Sequence, residues 1–243
     1  MRRFLPELIA APLLPLLLAQ GKHVRRVTPR LPEAPAPCEG LAGSHHGGAP
    51  LTLLALGESP VAGVGVGSHE EAITGQLARA LSESMARPVA WRAYGKNGAT
   101  VRDALDQLVP RIPAAPVDVA LVAFGVNDTT AFHPVARWRD DLRALLDALD
   151  ARCAPRLILL SGVPPMAHFP ALPQPLRAVM GMKARTLDTA AQALAARPRT
   201  HYVALAIDGR DPGMMAVDGY HPSARGCAAW ATLLAECAVT ELR

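Results

Sequence analysis

Three short segments, far apart in the sequence, carry the side-chain types needed for nucleophilic acyl transfer. They are residues 57–59 (Gly-Glu-Ser), 125–128 (Gly-Val-Asn-Asp) and 218–222 (Asp-Gly-Tyr-His-Pro). A serine hydroxyl is a weak nucleophile, so it needs a neighbouring base, and that base needs a group to orient it. An amide can donate a hydrogen bond to the negative oxygen that develops on an attacked carbonyl. Taken together, the three segments predict a serine-dependent acyl-transfer site.

His221 is the strongest candidate for the base among the eight histidines. It precedes Pro222, which suits the first turn of a helix, so its ring is expected at the boundary of an element. Asp218 is three residues earlier, within local reach of the imidazole Nδ1. The other histidines lie outside the predicted domain or lack an acidic residue at a comparable loop spacing. Taken alone, a histidine at a helix start is an ordinary surface residue.

Two further residues are candidates for oxyanion donors. Asn127 directly follows an apolar run, where its side-chain amide could reach a substrate oxygen, and Gly98 ends the loop after another such run. Each also has a purely structural interpretation, because an asparagine can form an Asx turn and a glycine can start a helix-leading turn. Ser59, likewise, could simply cap the turn after a strand.

Five apolar runs alternate with five segments of helical periodicity, which predicts a parallel sheet covered by helices on both faces. Ligands of such sheets bind outside the carboxyl ends of the strands, where Ser59, Gly98 and Asn127 all fall. The strands are expected at 51–56, 89–94, 117–124, 156–160 and 201–206, and the helices at 70–85, 99–108, 136–152, 176–197 and 223–239.

The first fifty residues have a different composition from the rest. Residues 1–26 are apolar with basic flanks, which suits an anchor on an anionic membrane surface, a cleaved signal segment or a segment packed on the domain. Residues 27–50 are rich in proline and glycine and are expected to form a structureless linker. The catalytic domain is expected over residues 51–243. A membrane-associated or cell-envelope location is favoured, with the side of the membrane left open.

The charge of the chain is concentrated at its N-terminus. The first 30 residues contain six basic residues and one acidic residue, whereas the remainder contains 19 basic and 20 acidic ones. The domain is therefore almost neutral, and its charge gives no reason to expect a nucleic-acid partner.

The three segments, with Gly98, resemble the SGNH hydrolases, the GDSL-type esterases and lipases. The resemblance runs from about residue 51 to 235 and implies a flavodoxin-like α/β/α sandwich with a five-stranded parallel sheet. It implies that Ser59 is the nucleophile and that Asp218 and His221 complete a catalytic triad. It also implies an oxyanion hole made by the Ser59 and Gly98 N–H groups and the Asn127 amide, with no metal or organic cofactor.

One residue departs from the pattern of that family. Its first block usually has Gly-Asp-Ser, whereas this chain has glutamate at position 58. The extra methylene is expected to displace the hydrogen bonds that the shorter acid makes. A catalytically degenerate, membrane-tethered binding module that keeps the fold is therefore an alternative to an active enzyme.

The substrate is expected to meet the proline-rich segment 162–176, which follows the fourth strand. Met166, Phe169 and Leu172 could line an acyl pocket there or could pack on the sheet edge as structure. An apolar lip beside a membrane anchor favours acyl esters or lysophospholipid-like substrates. Carbohydrate O-deacetylation and acyl transfer to an alcohol remain alternatives on the same site.

Overall fold

The computed structural model describes residues 5–205 and 208–242, which fold into seven α-helices and six β-strands in the described part. The helices are α1 (Leu5–Val27), α2 (Ile73–Met85), α3 (Val101–Gln107), α4 (Val126–Thr130), α5 (Val135–Cys153), α6 (Leu176–Gln192) and α7 (Ala224–Leu242). The strands are β1 (Glu39–Ala42), β2 (Leu51–Gly57), β3 (Val89–Gly95), β4 (Val119–Ala123), β5 (Leu157–Ser161) and β6 (Thr200–Val203).

All six strands form one sheet in the order β1-β3-β2-β4-β5-β6. Strands β2 to β6 are mutually parallel, and their spatial order is the flavodoxin-like one, with the second parallel strand outside the first. The predicted five-stranded parallel sheet is thus confirmed. The predicted strands and helices are present in the structure, with ends shifted by a few residues. Ala206, the last residue of the fifth predicted strand, lies outside the described residues.

Strand β1 was not expected from the sequence. It lies inside the segment predicted to be a structureless linker and pairs antiparallel with β3 at the sheet edge. Three of its four residues are exposed, so it has no apolar pattern that could reveal a strand. The unpaired edge of β3 supplies the hydrogen-bonding partners, and the pairing covers that edge.

The sheet separates two apolar layers, which confirms the three-layer sandwich. In β4, Val119 and Leu121 belong to the layer beneath α2 and α7, whereas Ala120 and Val122 belong to the layer beneath α3, α5 and α6. This alternation is the period of two that a strand imposes on its side chains. Because both faces are covered, every residue of β4 and β5 is buried, and their sequences are continuous apolar runs ending in Ala123 and Ser161.

Helix α1 packs against α6, with Leu17 and Val24 buried in the same core layer as α6. Gln20 fixes the crossing point, because its Oε1 accepts a hydrogen bond from the Leu176 N–H at 3.1 Å. Among the described residues, none of the helices combines the length and apolarity that crossing a membrane would require.

The segment after α1 runs along the edge of the sheet where the strands β2 and β3 end. Glu33 Oε1 accepts a hydrogen bond from the N–H of Asn97 at 2.7 Å, and the N–H of Ala34 donates to Ala62 O at 3.0 Å. Asn97 lies in the loop after β3, and Ala62 in the loop after β2. The N-terminal region therefore contacts both loops that carry candidate site residues.

Candidate active site

Ser59 lies in a tight turn directly after β2. The turn is held by backbone bonds, with the N–H groups of Val61 and Ala62 both donating to Glu58 O. Ser59 is 6% exposed, and no acceptor in residues 5–205 and 208–242 pairs with its backbone N–H. The turn therefore leaves a free N–H donor directly beside the serine hydroxyl.

Asp218 and His221 form the contact that the sequence predicted. Asp218 Oδ2 lies 2.6 Å from His221 Nδ1, while its Oδ1 accepts the N–H groups of Tyr220 and His221, both at 3.0 Å. Burial raises the pKa of Asp218, but these hydrogen bonds outweigh it and hold the pKa below its ordinary value. The carboxylate is thus charged and fixed, and it can keep the imidazole in one orientation.

The structure brings Ser59 and His221 to the same small cavity of about 50 Å³, which Val126 and Phe169 also line. Gly65 permits this approach, because a Cβ at Gly65 would lie 2.8 Å from Pro222 O, and its φ of +99° is unfavourable for other residues. No hydrogen bond joins Ser59 Oγ to the imidazole among the described residues. Such catalytic bonds are often long in a free enzyme and shorten when substrate binds.

Gly98, Asn127 and His221 all line a second, larger cavity of about 1060 Å³. Gly98 has a φ of +78°, with no atom within 4 Å of where a Cβ would be, so its backbone conformation rather than space requires glycine. Its N–H has no acceptor in the described part of the chain. His221 borders both cavities and so connects the serine to the two candidate oxyanion donors.

The sequence itself assigns the chain to a family. Residues 55–229 match the profile of the GDSL-like lipase/acylhydrolase family. The chain belongs to this family. Family membership indicates ester hydrolase activity and covers every residue of the candidate site. A comparison with curated protein sequences finds no significant match.

Solved structures of lipases and acetylesterases share the fold. The lipase Lip_vut3 from a goat rumen metagenome has a TM-score of 0.62 at 18% identity, covering 77% of this chain and 97% of that one. An extracellular lipase from Streptomyces rimosus has 0.57 at 17% identity, covering 77% and 99%. Est24, a carbohydrate acetylesterase from Sinorhizobium meliloti, has 0.56 at 19% identity, covering 79% and 100%. These neighbours are named for different ester substrates, so the shared fold does not determine which ester this chain hydrolyses.

Glu58, the departure from the usual Gly-Asp-Ser block of GDSL proteins, accepts hydrogen bonds from Val126 and Asn127 through both of its carboxylate oxygens. Glu58 Oε1 accepts the Val126 N–H at 2.9 Å, and Oε2 accepts the Asn127 N–H at 3.0 Å and its side-chain Nδ2 at 2.6 Å. The second Nδ2 hydrogen of Asn127 is directed to Ala99 O at 3.1 Å. Both amide hydrogens are therefore occupied in the resting site, which the sequence did not reveal.

Burial raises the pKa of Glu58 from 4.5 to about 7, because desolvation outweighs its hydrogen bonds from Asn127 and Val126. The native state therefore binds more protons than the unfolded chain between these values, and stability falls as pH rises through them. We expect wild type to lose about 3 kcal/mol of unfolding free energy relative to Glu58→Gln between pH 4.5 and 7.

Urea unfolding of wild type and Glu58→Gln at pH 5 and pH 8 measures this difference. Glu83→Gln, at an exposed carboxylate on α2, is the matched control and should follow wild type. If the unfolding free energies of wild type and Glu58→Gln changed equally with pH, the pKa of Glu58 would be the same in the folded and unfolded states.

Asp128 has a structural contact that the sequence analysis did not anticipate. Its Oδ1 lies 2.7 Å from His133 Nδ1, and its Oδ2 accepts the Val101 N–H at the start of α3. The sequence showed no acidic residue at a comparable loop spacing from His133, but the helix α4 and the turn after it bring Asp128, five residues earlier, into contact. This pair borders neither cavity, so it positions α3 against α4.

The three candidate substrate residues occupy different places. Phe169 lines the small cavity beside Ser59, and Leu172 lines the larger one. Met166 is fully buried in the core layer beneath α6 and borders neither cavity. Tyr220 lines both cavities and stands edge-on to Phe169 at 5.3 Å between ring centroids, a contact with no signal in the sequence.

Proposed function

We propose that this chain is a serine esterase that hydrolyses carboxylic esters through a Ser59-His221-Asp218 triad and an acyl-enzyme intermediate. The observation that carries the proposal is the 2.6 Å contact between Asp218 and His221, whose ring borders the cavity that Ser59 lines. Family membership supports the same chemistry at these positions.

In the first half-reaction, Ser59 Oγ attacks the ester carbonyl while His221 Nε2 takes its proton. Asp218 keeps the Nδ1 hydrogen on the far side of the ring and stabilises the imidazolium. The imidazolium then protonates the leaving alcohol. In the second half-reaction, His221 deprotonates water, which attacks the acyl-enzyme, and the proton returns to Ser59 as the acid leaves.

The oxyanion would be bound first by the N–H groups of Ser59 and Gly98, which are free in the resting site. The side-chain amide of Asn127 can join these donors only if it gives up one of the two hydrogen bonds that it now donates. The hydrogen bond to Ala99 O, at 3.1 Å, is longer than the one to Glu58 Oε2, at 2.6 Å, so it is the one expected to break. The hydrogen bond to Glu58 then fixes the amide while its other hydrogen turns to the substrate.

The proposal is tested by treating the purified full chain with a fluorophosphonate and mapping the labelled peptide, alongside release of p-nitrophenol from esters of graded chain length. We expect label on Ser59 and measurable hydrolysis. Adding an alcohol and analysing the products separates hydrolysis from acyl transfer. A folded chain that takes up no label would support the alternative of a degenerate binding module.

We also propose that the outer face of α1 binds an anionic lipid surface. Leu8 and Leu16 are 69% and 47% exposed on that face, and Lys22 and Arg26 are exposed near the end of the helix. Apolar residues beside a basic cluster suit a helix lying in the plane of a membrane interface. This surface would bring the cavity beneath α1 close to lipid esters.

Sedimentation with vesicles of phosphatidylcholine and phosphatidylglycerol tests this surface. We expect Leu8→Glu/Leu16→Glu to weaken vesicle binding by about tenfold or more, because the variant loses two apolar side chains that would move from water into the membrane interface. Leu41→Glu is the control, since Leu41 is 52% exposed but lies on β1 at the sheet edge. Equal binding by wild type and the double variant would exclude α1 as the lipid contact.

A further inference from the structure

The larger cavity exists because α1 lies over the domain. One of its walls is the inner face of α1, including Ala10, Leu14 and Leu17, and the opposite wall includes Phe132 and Met180. At about 1060 Å³, it is at the upper end of the range for small-molecule sites. A cavity of this size with apolar walls suits a long hydrocarbon group rather than an acetyl group.

Glu7, the charged residue near the N-terminal end of α1 that lines this cavity, has a partner of opposite charge. Glu7 is paired with Lys183 at 2.5 Å, and Lys183 is fully buried with its Nζ 4.8 Å from the centre of the Phe132 ring. A buried ammonium requires such a partner, so the pair ties α1 to α6. At the other end, Gln20 bonds both Gln174 O and the Leu176 N–H. The helix is therefore fixed at two points on α6, and the wall it forms is part of the folded domain.

Three residues of the candidate site line the larger cavity. They are Gly98, Asn127 and His221, and His221 also borders the small cavity of Ser59. A carbonyl placed beside these residues would be close to the free N–H of Gly98 and the imidazole. The rest of an attached acyl chain would then extend between α1 and α6, where its methylenes contact apolar side chains.

We propose that the cavity beneath α1 binds the acyl chain of the substrate and makes this chain selective for long-chain over acetyl esters. This rests on the proposed function, since the ester carbonyl must reach Ser59, which lines the small cavity that His221 also borders. Each methylene transferred from water to this cavity should improve binding by about fourfold. The N-terminal helix is then an acyl-binding element in addition to a lipid contact.

Gly21 provides a direct test, because it lines the cavity and a Cβ there would meet only Arg25 Nη2, at 4.0 Å. Gly21→Phe would place a ring in the cavity without a backbone clash, and a residue other than glycine favours the helix. Ala19→Phe is the matched control, since Ala19 is exposed on α1 and borders neither cavity.

We expect Gly21→Phe to lower kcat/KM for p-nitrophenyl palmitate at least about tenfold, and to leave that for p-nitrophenyl acetate within about twofold of wild type. Ala19→Phe should match wild type on both esters. Binding of cis-parinaric acid, followed by fluorescence, should weaken in Gly21→Phe to a similar extent and requires no turnover.

Two outcomes would overturn the proposal. One is an unchanged preference between palmitate and acetate in Gly21→Phe, and the other is equal binding of cis-parinaric acid by both variants. Failure of the triad would have a different signature, namely no fluorophosphonate label and no hydrolysis of either ester. In that case the binding of cis-parinaric acid would still report on the cavity by itself.

Discussion

Ser59→Ala is expected to lower kcat/KM for ester hydrolysis by about 10⁴- to 10⁶-fold and to abolish fluorophosphonate labelling. In the proposed mechanism the Ser59 Oγ forms the acyl-enzyme, so its loss removes the two-step route. The oxyanion donors and the substrate cavities would remain, which leaves a small residual rate. Stopped assays with p-nitrophenyl esters and gel detection of the label measure the two effects.

The variant should fold as wild type does. Ser59 Oγ makes no hydrogen bond to other described residues, and the backbone bond from the Val64 N–H to Ser59 O does not involve the side chain. Ser84→Ala, at an exposed serine on α2, is the matched control and should keep both label and activity. Labelling or hydrolysis that persists in folded Ser59→Ala would place the nucleophile elsewhere.

Asp218→Asn should lower kcat by about 10⁴-fold while the protein still folds. The asparagine Oδ1 can still accept the N–H groups of Tyr220 and His221 that Asp218 Oδ1 now binds. Its Nδ2 would then face His221 Nδ1 and donate to it. That contact selects the imidazole tautomer with hydrogen on Nε2, which cannot accept a proton from Ser59.

Single-turnover acylation with a p-nitrophenyl ester separates this effect from binding, because the rate of acylation should fall while KM changes little. Asp208→Asn is the control, since Asp208 forms an exposed pair with His168 at 3.2 Å and takes no part in the proposed mechanism. A wild-type rate of acylation in Asp218→Asn would mean that His221 needs no orienting carboxylate.

The sequence determined the parallel sheet and the place of the candidate site because both depend on local patterns. Continuous apolar runs in β4 and β5 reflect burial on both faces, and the intervening helical periodicity requires crossovers. Once the strands are parallel, residues that follow them meet at one edge, as Ser59, Gly98 and Asn127 do. The Asp218–His221 contact spans three residues and was predictable from spacing alone.

Only the tertiary structure decided which long-range partners these residues have. The Glu58 carboxylate accepts a hydrogen bond from the side-chain amide of Asn127, 69 residues away, so this candidate oxyanion donor already has an acceptor. Met166 resembles a pocket residue in sequence but packs in the core. The sequence of the apolar N-terminal segment was consistent with three interpretations. In the structure, the hydrogen bonds of Gln20 and the pairing of Glu7 with the buried Lys183 hold this segment over the cavity. Periodicity and spacing report contacts within a few turns, whereas cavities and buried pairs arise from elements distant in the chain.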